Sequence, residues 1–332
     1  MRVLVTGGLG VNGCWVTRDL LEMGHEPVVF DNRPDFTLLR DVSDDFEFVQ
    51  GDITSLEQLT EVCMGHGIER VCHLAAVYPD TADADPVLGF SVNALATVHV
   101  LEAARRAGAD RVVFTSSIGA LAEITDEYLE PEMKPLDESF PAYPSSSVYG
   151  AAKVASELMG IQYSRLYGMG FAALRFAAIY GLGKGGGRHG SHNVIWSEMI
   201  ENAIAGRPTV VPQGGDQRLD LTYARDVARS VVLACTVNSF KGHIFHIGSG
   251  RTYTFNDFAD GVRAAVPGAD IQVGPGLDPR GLGPRRYYRM DISRAQGELG
   301  YAPRYDPEGA VRDWIEWTER LELTQHDRNR DR

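Results

Sequence analysis

The stretch Val3-Leu4-Val5-Thr6-Gly7-Gly8-Leu9-Gly10-Val11-Asn12-Gly13 decides the fold of this chain. A short β-branched run leads directly into three spaced glycines, and helical spacing follows over 11–23. Gly7 permits a tight turn, Gly10 lets the backbone approach a diphosphate, and Gly13 lets the helix pack close to the strand. The N-terminus of such a helix attracts negative charge. The stretch predicts a dinucleotide-binding strand–turn–helix, although a glycine triplet by itself is also typical of a surface turn.

The rest of the first 180 residues continues this alternation of strand and helix. Further strands are predicted at 27–30, 46–49, 70–74, 111–115 and 171–175, and longer helices at 87–106 and 149–167. Such alternation predicts right-handed crossovers around a buried parallel sheet. The fold class is therefore α/β, with a doubly wound, Rossmann-like parallel sheet and a smaller C-terminal substrate lobe.

The second half of the chain has a different texture. Gly- and Pro-rich stretches lie at 183–190 and 274–284, and between them we predict a strand at 243–247 and helices near 193–205, 224–235 and 255–265. At 332 residues the chain is long for a single core. We predict an NAD-binding domain over 1–180, with segments of about 222–248 returning to it. A mainly substrate-binding lobe is expected over 181–322, and a polar, frayed tail over 323–332.

Composition excludes several classes of function. The net charge of -13 disfavours nucleic acid as a partner, because an acidic chain repels phosphate backbones. No apolar run approaches about 18 residues, so no membrane span is expected. The N-terminal residues leave no room for a signal peptide, which predicts a cytoplasmic protein. The four cysteines show no metal-binding or disulfide spacing, so we expect reduced thiols and no metal site.

Asp31 ends the second predicted strand and bears on the choice of cofactor. An acidic residue there accepts hydrogen bonds from the adenosine ribose and repels a 2′-phosphate, which favours NAD over NADP. Arg33 lies close enough to soften that preference. Asp52, after the third strand, is expected near the adenine amino group, although a plain turn explains it nearly as well.

Tyr149 and Lys153 are four residues apart at the start of a helical pattern and therefore share one face. A lysine ammonium beside a phenol favours the phenolate, so we expect a lowered tyrosine pKa and proton exchange with a substrate hydroxyl. Ser117, at the end of the fifth strand, is expected to hydrogen-bond the substrate oxygen. The alternatives are a chance Tyr-x-x-x-Lys spacing and serines that only cap the strand.

Together these pieces resemble the extended short-chain dehydrogenase/reductase family, the NAD-dependent sugar epimerases and dehydratases. The matching segments are 6–13, Asp31, 52–53, 73–76, Asn93, 114–117, Tyr149-Gly150-x-x-Lys153, 175–181, 226–227, 291–295 and 299–301. The resemblance implies Ser117, Tyr149 and Lys153 as the catalytic trio and tightly held NAD. It also implies a homodimer that packs the helices at 87–106 and 149–167 as a four-helix bundle.

The pattern and the resemblance assign residues to two sites. The cofactor residues are Gly7, Gly10, Val11, Gly13, Asp31, Asn32, Asp52, Ile53, Leu74, Ala75, Ala76, Asn93, Thr115, Tyr149 and Lys153. The substrate residues are Ser116, Ala178, Arg188, His192, Arg218 and Arg285. Arg188 and His192 either close over an anionic or hydroxyl-rich substrate or are incidental charges on a surface loop.

The chain departs from sugar-nucleotide epimerases at particular positions. Ala178 stands where the family places an asparagine that contacts the nucleotide sugar, and Leu219 where it places a phosphate-binding arginine, with Arg218 one position away. An acidic insert, Glu123–Glu138, lengthens the segment before Tyr149. Thr125-Asp126-Glu127 has the letters of the dehydratase motif but lies too late, which disfavours dehydration.

Three functions follow. A sugar-type epimerase is slightly favoured, and a simple NAD-dependent dehydrogenase or reductase of a non-nucleotide substrate is the alternative. A non-enzymatic NAD sensor is disfavoured by the intact trio.

Overall fold

Seven parallel strands form the central sheet. The protein is described by a computed structural model over residues 1–143, 147–184, 194–279 and 288–328. The strands are β1 (Arg2–Thr6), β2 (Glu26–Asp31), β3 (Glu47–Gln50), β4 (Arg70–His73), β5 (Arg111–Ser117), β6 (Gly170–Phe176) and a late strand, β11 (Ile244–Ile247). Their order is β11-β6-β5-β4-β1-β2-β3, and every neighbouring pair is parallel. The predicted doubly wound, Rossmann-like sheet is confirmed.

Helices cover both faces of the sheet, as the alternation of buried residues along β1 requires. Val3 and Val5 point into one core and Leu4 into the other. The first core is closed by α1 (Val11–Glu22) and α8 (Ala224–Thr236), which pack on each other. The second is closed by α2 (Leu56–Gly65), α5 (Ala96–Ala107) and α6 (Val148–Tyr167). Apolar packing thus fixes helices on both faces of the sheet.

The helix predicted at 87–106 is not a regular one. It begins as α4 (Pro86–Phe90), after the short α3 (Pro79–Ala84), passes through a π-helical turn at Ser91–Leu95 and continues as α5. By length and composition alone, Pro86–Ala107 is apolar enough to cross a bilayer, so the expectation that no stretch approaches that length is wrong. Half of that stretch is buried inside the protein, because α5 packs against α2 and α6.

The second half of the chain adds three small sheets and four helices among the described residues. The strand pairs are β7 (Ala178–Tyr180) with β10 (Leu221–Tyr223), β8 (Thr209–Val211) with β13 (Ile271–Val273), and β9 (Arg218–Leu219) with β12 (Tyr253–Thr254). The helices are α7 (Val194–Ile204), α9 (Phe255–Ala265), α10 (Pro307–Arg320) and α11 (Gln325–Arg328). Between them, α8 and β11 return to the main sheet.

Residues 323–328, the described part of the predicted frayed tail, have regular contacts. Leu323 is buried in the first core, and its backbone N–H bonds the carbonyl of Thr318 at 2.9 Å. Asp327 caps α11 by accepting from the backbone N–H of Thr324 at 2.9 Å. The prediction is therefore wrong for 323–328, because an apolar side chain in a charged segment is enough to dock it. Residues 329–332 lie outside the described residues.

Candidate active site

The turn between β1 and α1 leaves room only for glycine. Gly7 has φ +68°, and a Cβ there would lie 2.8 Å from the Cα of Ala75. A Cβ on Gly13 would lie 2.1 Å from the carbonyl oxygen of Gly7. Both distances are shorter than any real carbon contact, so the backbone wraps the start of α1 closely. The first turn of a helix presents backbone N–H groups of the kind that bind a diphosphate.

The acidic residue at the end of β2 is held in place by the same turn. One carboxylate oxygen of Asp31 accepts from the backbone N–H of Leu9 at 3.1 Å, and the other accepts from that of Arg33 at 3.2 Å. A fixed carboxylate beside the glycine turn fits the ribose hydroxyls of NAD. Asn32 is exposed, and its carbonyl accepts from the side chain of Gln50.

Asp52 has the geometry of a turn residue. Its carboxylate accepts from the backbone N–H of Thr54 at 2.8 Å. The following residue, Ile53, is buried in the second core. Contact of Asp52 and Ile53 with the adenine stays a prediction.

Asn93 holds the loop that follows β4. It is 1% exposed, and its amide both accepts from the backbone N–H of Val77 and donates to the Val77 carbonyl, each at 2.9 Å. These two hydrogen bonds give Asn93 a positioning role, and its contact with the cofactor stays a prediction. The π-helical turn that carries Asn93 thereby fixes the loop after β4, where Leu74, Ala75 and Ala76 pass the glycine turn.

Ser117, Tyr149 and Lys153 meet at the carboxyl end of β5. α6 begins beside this strand end because the Ser147 hydroxyl caps it, accepting from the backbone N–H of Gly150 at 3.0 Å. Lys153 is 2% exposed. Its Nζ donates to the Thr115 carbonyl at 2.7 Å and lies 5.3 Å from the centre of the Tyr149 ring. The Thr115 hydroxyl donates to the carbonyl of His73.

The tyrosine pKa moves against the sequence expectation. Burial raises the pKa of Tyr149 to about 12, and a hydrogen bond with Ser117 opposes the rise. Burial also lowers the pKa of Lys153 to about 7. The shift of the Tyr149 pKa is opposite to the expected one because desolvation by burial is its largest cause.

A buried ion pair that the sequence analysis missed supports the lysine. Glu157, one helical turn after Lys153, is 3% exposed and accepts from Arg175 Nε at 2.8 Å and Nη2 at 2.7 Å. Its charge raises the pKa of Lys153 against desolvation. The available signal was a glutamate four residues after Lys153 on the same helix face.

Ser116 belongs to this ion pair and not to the substrate site. It is 3% exposed, and its hydroxyl donates to Glu157 at 2.5 Å. The assignment to substrate is wrong because successive residues of a strand face opposite sides of the sheet. The side chains of Ser116 and Ser117 therefore point to opposite sides of the sheet.

The other predicted substrate residues separate into described and undescribed ones. Ala178 is half-buried on β7. Leu219 is 5% exposed in the first core, whereas Arg218 is exposed on the opposite face of β9. Arg188, His192 and Arg285 lie outside the described residues. The one-residue offset seen in the sequence thus puts the arginine and the leucine on different faces.

The acidic insert ties the end of β5 to the second half of the chain. Glu130 accepts from the backbone N–H of Arg218 at 2.8 Å. Glu138 is 5% exposed as a side chain, accepts from the backbone N–H of His246 at 3.0 Å and lies 3.6 Å from Arg294. Within the described ranges, no group of three His, Cys, Asp or Glu side chains could hold a metal ion.

Comparisons with known proteins agree on one family. A model of the NAD-dependent epimerase/dehydratase family matches residues 3–248. The putative UDP-glucose 4-epimerase of Methanocaldococcus jannaschii is 29% identical over 316 residues, covering 95% of this chain and 97% of the relative. The UDP-glucose 4-epimerase of Mycolicibacterium smegmatis is 32% identical, covering 92% and 94%. The structure of the Thermus thermophilus UDP-glucose 4-epimerase with NAD is 26% identical with a TM-score of 0.75, covering 96% and 99%.

Proposed function

The chain belongs to the NAD-dependent epimerase/dehydratase family, and on that premise we propose that Ser117, Tyr149 and Lys153 catalyse epimerisation of a sugar nucleotide. The enzyme is NAD-dependent and of the extended short-chain dehydrogenase type. The observation that carries the proposal is the convergence of the three side chains at the end of β5, beside the glycine turn. We further propose that 1–180, with the returning 222–248, carry the cofactor and that 181–322 contact the substrate.

The residues at the glycine turn fit NAD. The cradle that a Cβ at Gly7 or Gly13 would fill leaves the first turn of α1 open to a diphosphate. The fixed carboxylate of Asp31 would accept from the adenosine ribose. When bound, NAD would supply the hydride acceptor and donor for the substrate carbon that bears the hydroxyl. Lys153 would hold the nicotinamide ribose from the other end of the site.

Each member of the trio has a distinct part in moving the proton. Ser117 orients the substrate oxygen by a hydrogen bond. The Tyr149 oxygen takes the proton when the hydroxyl becomes a carbonyl and gives it back on return. Lys153, fixed by the Thr115 carbonyl, supplies the positive charge that makes a tyrosinate accessible despite burial.

The substrate class rests on the relatives and on the size of the second half of the chain. The named relatives act on UDP-glucose, which makes a nucleotide-linked hexose the first candidate. A simple dehydrogenase of a non-nucleotide substrate is the second candidate. The observation that favours it is Leu219, which is buried in apolar surroundings at a position where sugar-nucleotide enzymes need a cation.

The test is to incubate the protein with UDP-glucose and follow inversion at C4 by proton NMR. We expect turnover without net NADH, and loss of turnover with retained NAD in Tyr149→Phe. Tyr163→Phe makes the same change on the same helix, where the hydroxyl lies 3.4 Å from Glu102, and should keep its activity. No inversion, together with NADH formation from free sugars or other alcohols, would favour the dehydrogenase. A Tyr149→Phe variant with more than about a tenth of normal activity would exclude the tyrosine mechanism.

The proposal includes a homodimer. Large apolar side chains are exposed on the 86–107 helix and on α6; they include Val87 at 78%, Phe90 at 51%, Leu158 at 56% and Leu166 at 70%. Exposed apolar side chains on two adjacent helices are suited to packing against a second copy of the chain as a four-helix bundle. A cytoplasmic location stays a prediction.

A further inference from the structure

Two loops from different parts of the chain border the first turn of α1. On one side, the loop after β4 approaches so closely that a Cβ on Gly7 would meet Ala75 at 2.8 Å. On the other side, the segment that follows β7 packs on α1 itself. There Gly183 has φ +88°, and a Cβ on it would lie 3.1 Å from both Val11 and Leu38. The second half of the chain therefore lies directly against the turn that receives the diphosphate.

The residue after Gly183 brings a positive charge to this junction. Lys184 is half-buried, and its Nζ lies 5.9 Å from the centre of the Tyr78 ring. Its backbone is fixed on both sides: the N–H bonds the Gly181 carbonyl at 2.9 Å, and the carbonyl accepts from Ser197 Oγ at 2.9 Å. In the sequence of the three bordering segments, 6–13, 74–79 and 181–184, Lys184 is the only lysine or arginine.

Tyr78 is a rigid partner for this lysine. The preceding residue, Val77, is held by two hydrogen bonds to Asn93, and the following residue, Pro79, begins α3. The Tyr78 residue is 37% exposed. A cation over an aromatic face is attracted to it electrostatically. The Lys184–Tyr78 contact thus joins the loop after β4 to the second half of the chain.

We propose that Lys184, positioned by Tyr78, pairs with the diphosphate of NAD and slows its release. The diphosphate is negatively charged, and a chain with a net charge of -13 repels it. A single cation beside the diphosphate therefore has a large effect on how long NAD stays bound. The pairing also makes retention depend on the docking of the 181–184 segment. The inference rests on NAD as the cofactor and not on the choice of substrate.

The test measures NAD release in the absence of substrate. Protein loaded with NADH is diluted into excess NAD, and the loss of bound-NADH fluorescence gives the dissociation rate at several salt concentrations. Lys184→Met should speed release by about five- to tenfold and flatten its salt dependence. Lys184→Arg should restore slow release. Lys241→Met removes the same charge at an exposed position on the loop before β11 and should behave as wild type.

The partner ring supplies a second test. Tyr78→Phe keeps the aromatic face and should release NADH slowly, whereas Tyr78→Leu should release it faster. Equal release rates and salt slopes in Lys184→Met and Lys241→Met would overturn the proposal. A Lys184→Met variant whose only defect is a raised KM for the substrate would also overturn the proposal. That result would mean that the lysine contacts the substrate. Failure of the UDP-glucose inversion assay would not change the outcome of this test, because NADH release is measured without substrate.

Discussion

The buried pair of Glu157 and Arg175 lends itself to the most demanding prediction. Both residues are 3% exposed, and the glutamate also accepts from Ser116. Glu157→Gln keeps the shape but leaves an arginine without its counter-charge inside the protein. Breaking a buried pair in this way costs about 3–5 kcal/mol, because the remaining charge is uncompensated. One guanidinium nitrogen of Arg175, Nη1, already has no hydrogen-bond partner among the residues that the structure describes.

The assay is urea unfolding followed by tryptophan fluorescence. Glu157→Gln should lose about 3–5 kcal/mol, and adding Arg175→Met should recover more than half of that loss, since the unpaired charge is gone. The exposed pair of Glu308 and Arg312, with side chains 45% and 58% exposed, is the matched control. Glu308→Gln should cost less than about 1 kcal/mol.

The same variant changes the pH profile in a defined direction. Glu157 raises the pKa of Lys153 against desolvation, so the pKa should fall below about 7 in Glu157→Gln. The protonated lysine is then lost at lower pH, and the alkaline limb of kcat should move towards acid. A loss of stability below about 1 kcal/mol, or a double variant no more stable than the single one, would refute the account of an interdependent buried pair.

Three further perturbations follow from the geometry. We expect at least about a tenfold preference for NAD over NADP in kcat/KM; Asp31→Ser should reduce it, and equal turnover with NADP in the wild type would contradict the role of that carboxylate. Gly13→Ala should abolish NADH binding by fluorescence titration because its Cβ meets backbone at 2.1 Å, whereas Gly65→Ala, with nothing within 4 Å, should bind normally. Phe90→Asp with Leu166→Asp should convert a dimer to a monomer in sedimentation velocity; an unchanged mass would remove the apolar face from the interface.

Local spacing was enough to predict the elements that carry strong periodicity. α1 and α9 begin at the expected residues, and β5 and β6 extend the predicted strands by one or two residues. Two helices, α2 and α10, were not predicted. The π-helical turn at 91–95 was also invisible, since its cause is the tertiary hydrogen bonding of Asn93.

The active site shows where sequence reasoning stops. The i, i+4 spacing correctly brings Tyr149 and Lys153 together, and Ser117 joins them at the end of the strand. The pKa of Tyr149 could not be predicted, because it depends on how much water the fold removes and on where the Lys153 ammonium points. The Glu157 partner of Ser116 could not be predicted for the same reason. Which partner a polar atom meets is decided by packing between distant segments.

The position of β11 has a consequence for how the chain is made. β6 ends at Phe176, and the strand that covers its outer edge ends at Ile247, roughly 70 residues later. A ribosome needs on the order of 4 to 14 s to add that length. During that interval the apolar β6 presents an unpaired edge, the kind of surface on which nascent chains associate. Synthesis speed between these two strands, and chaperone capture there, should therefore govern the yield of active protein.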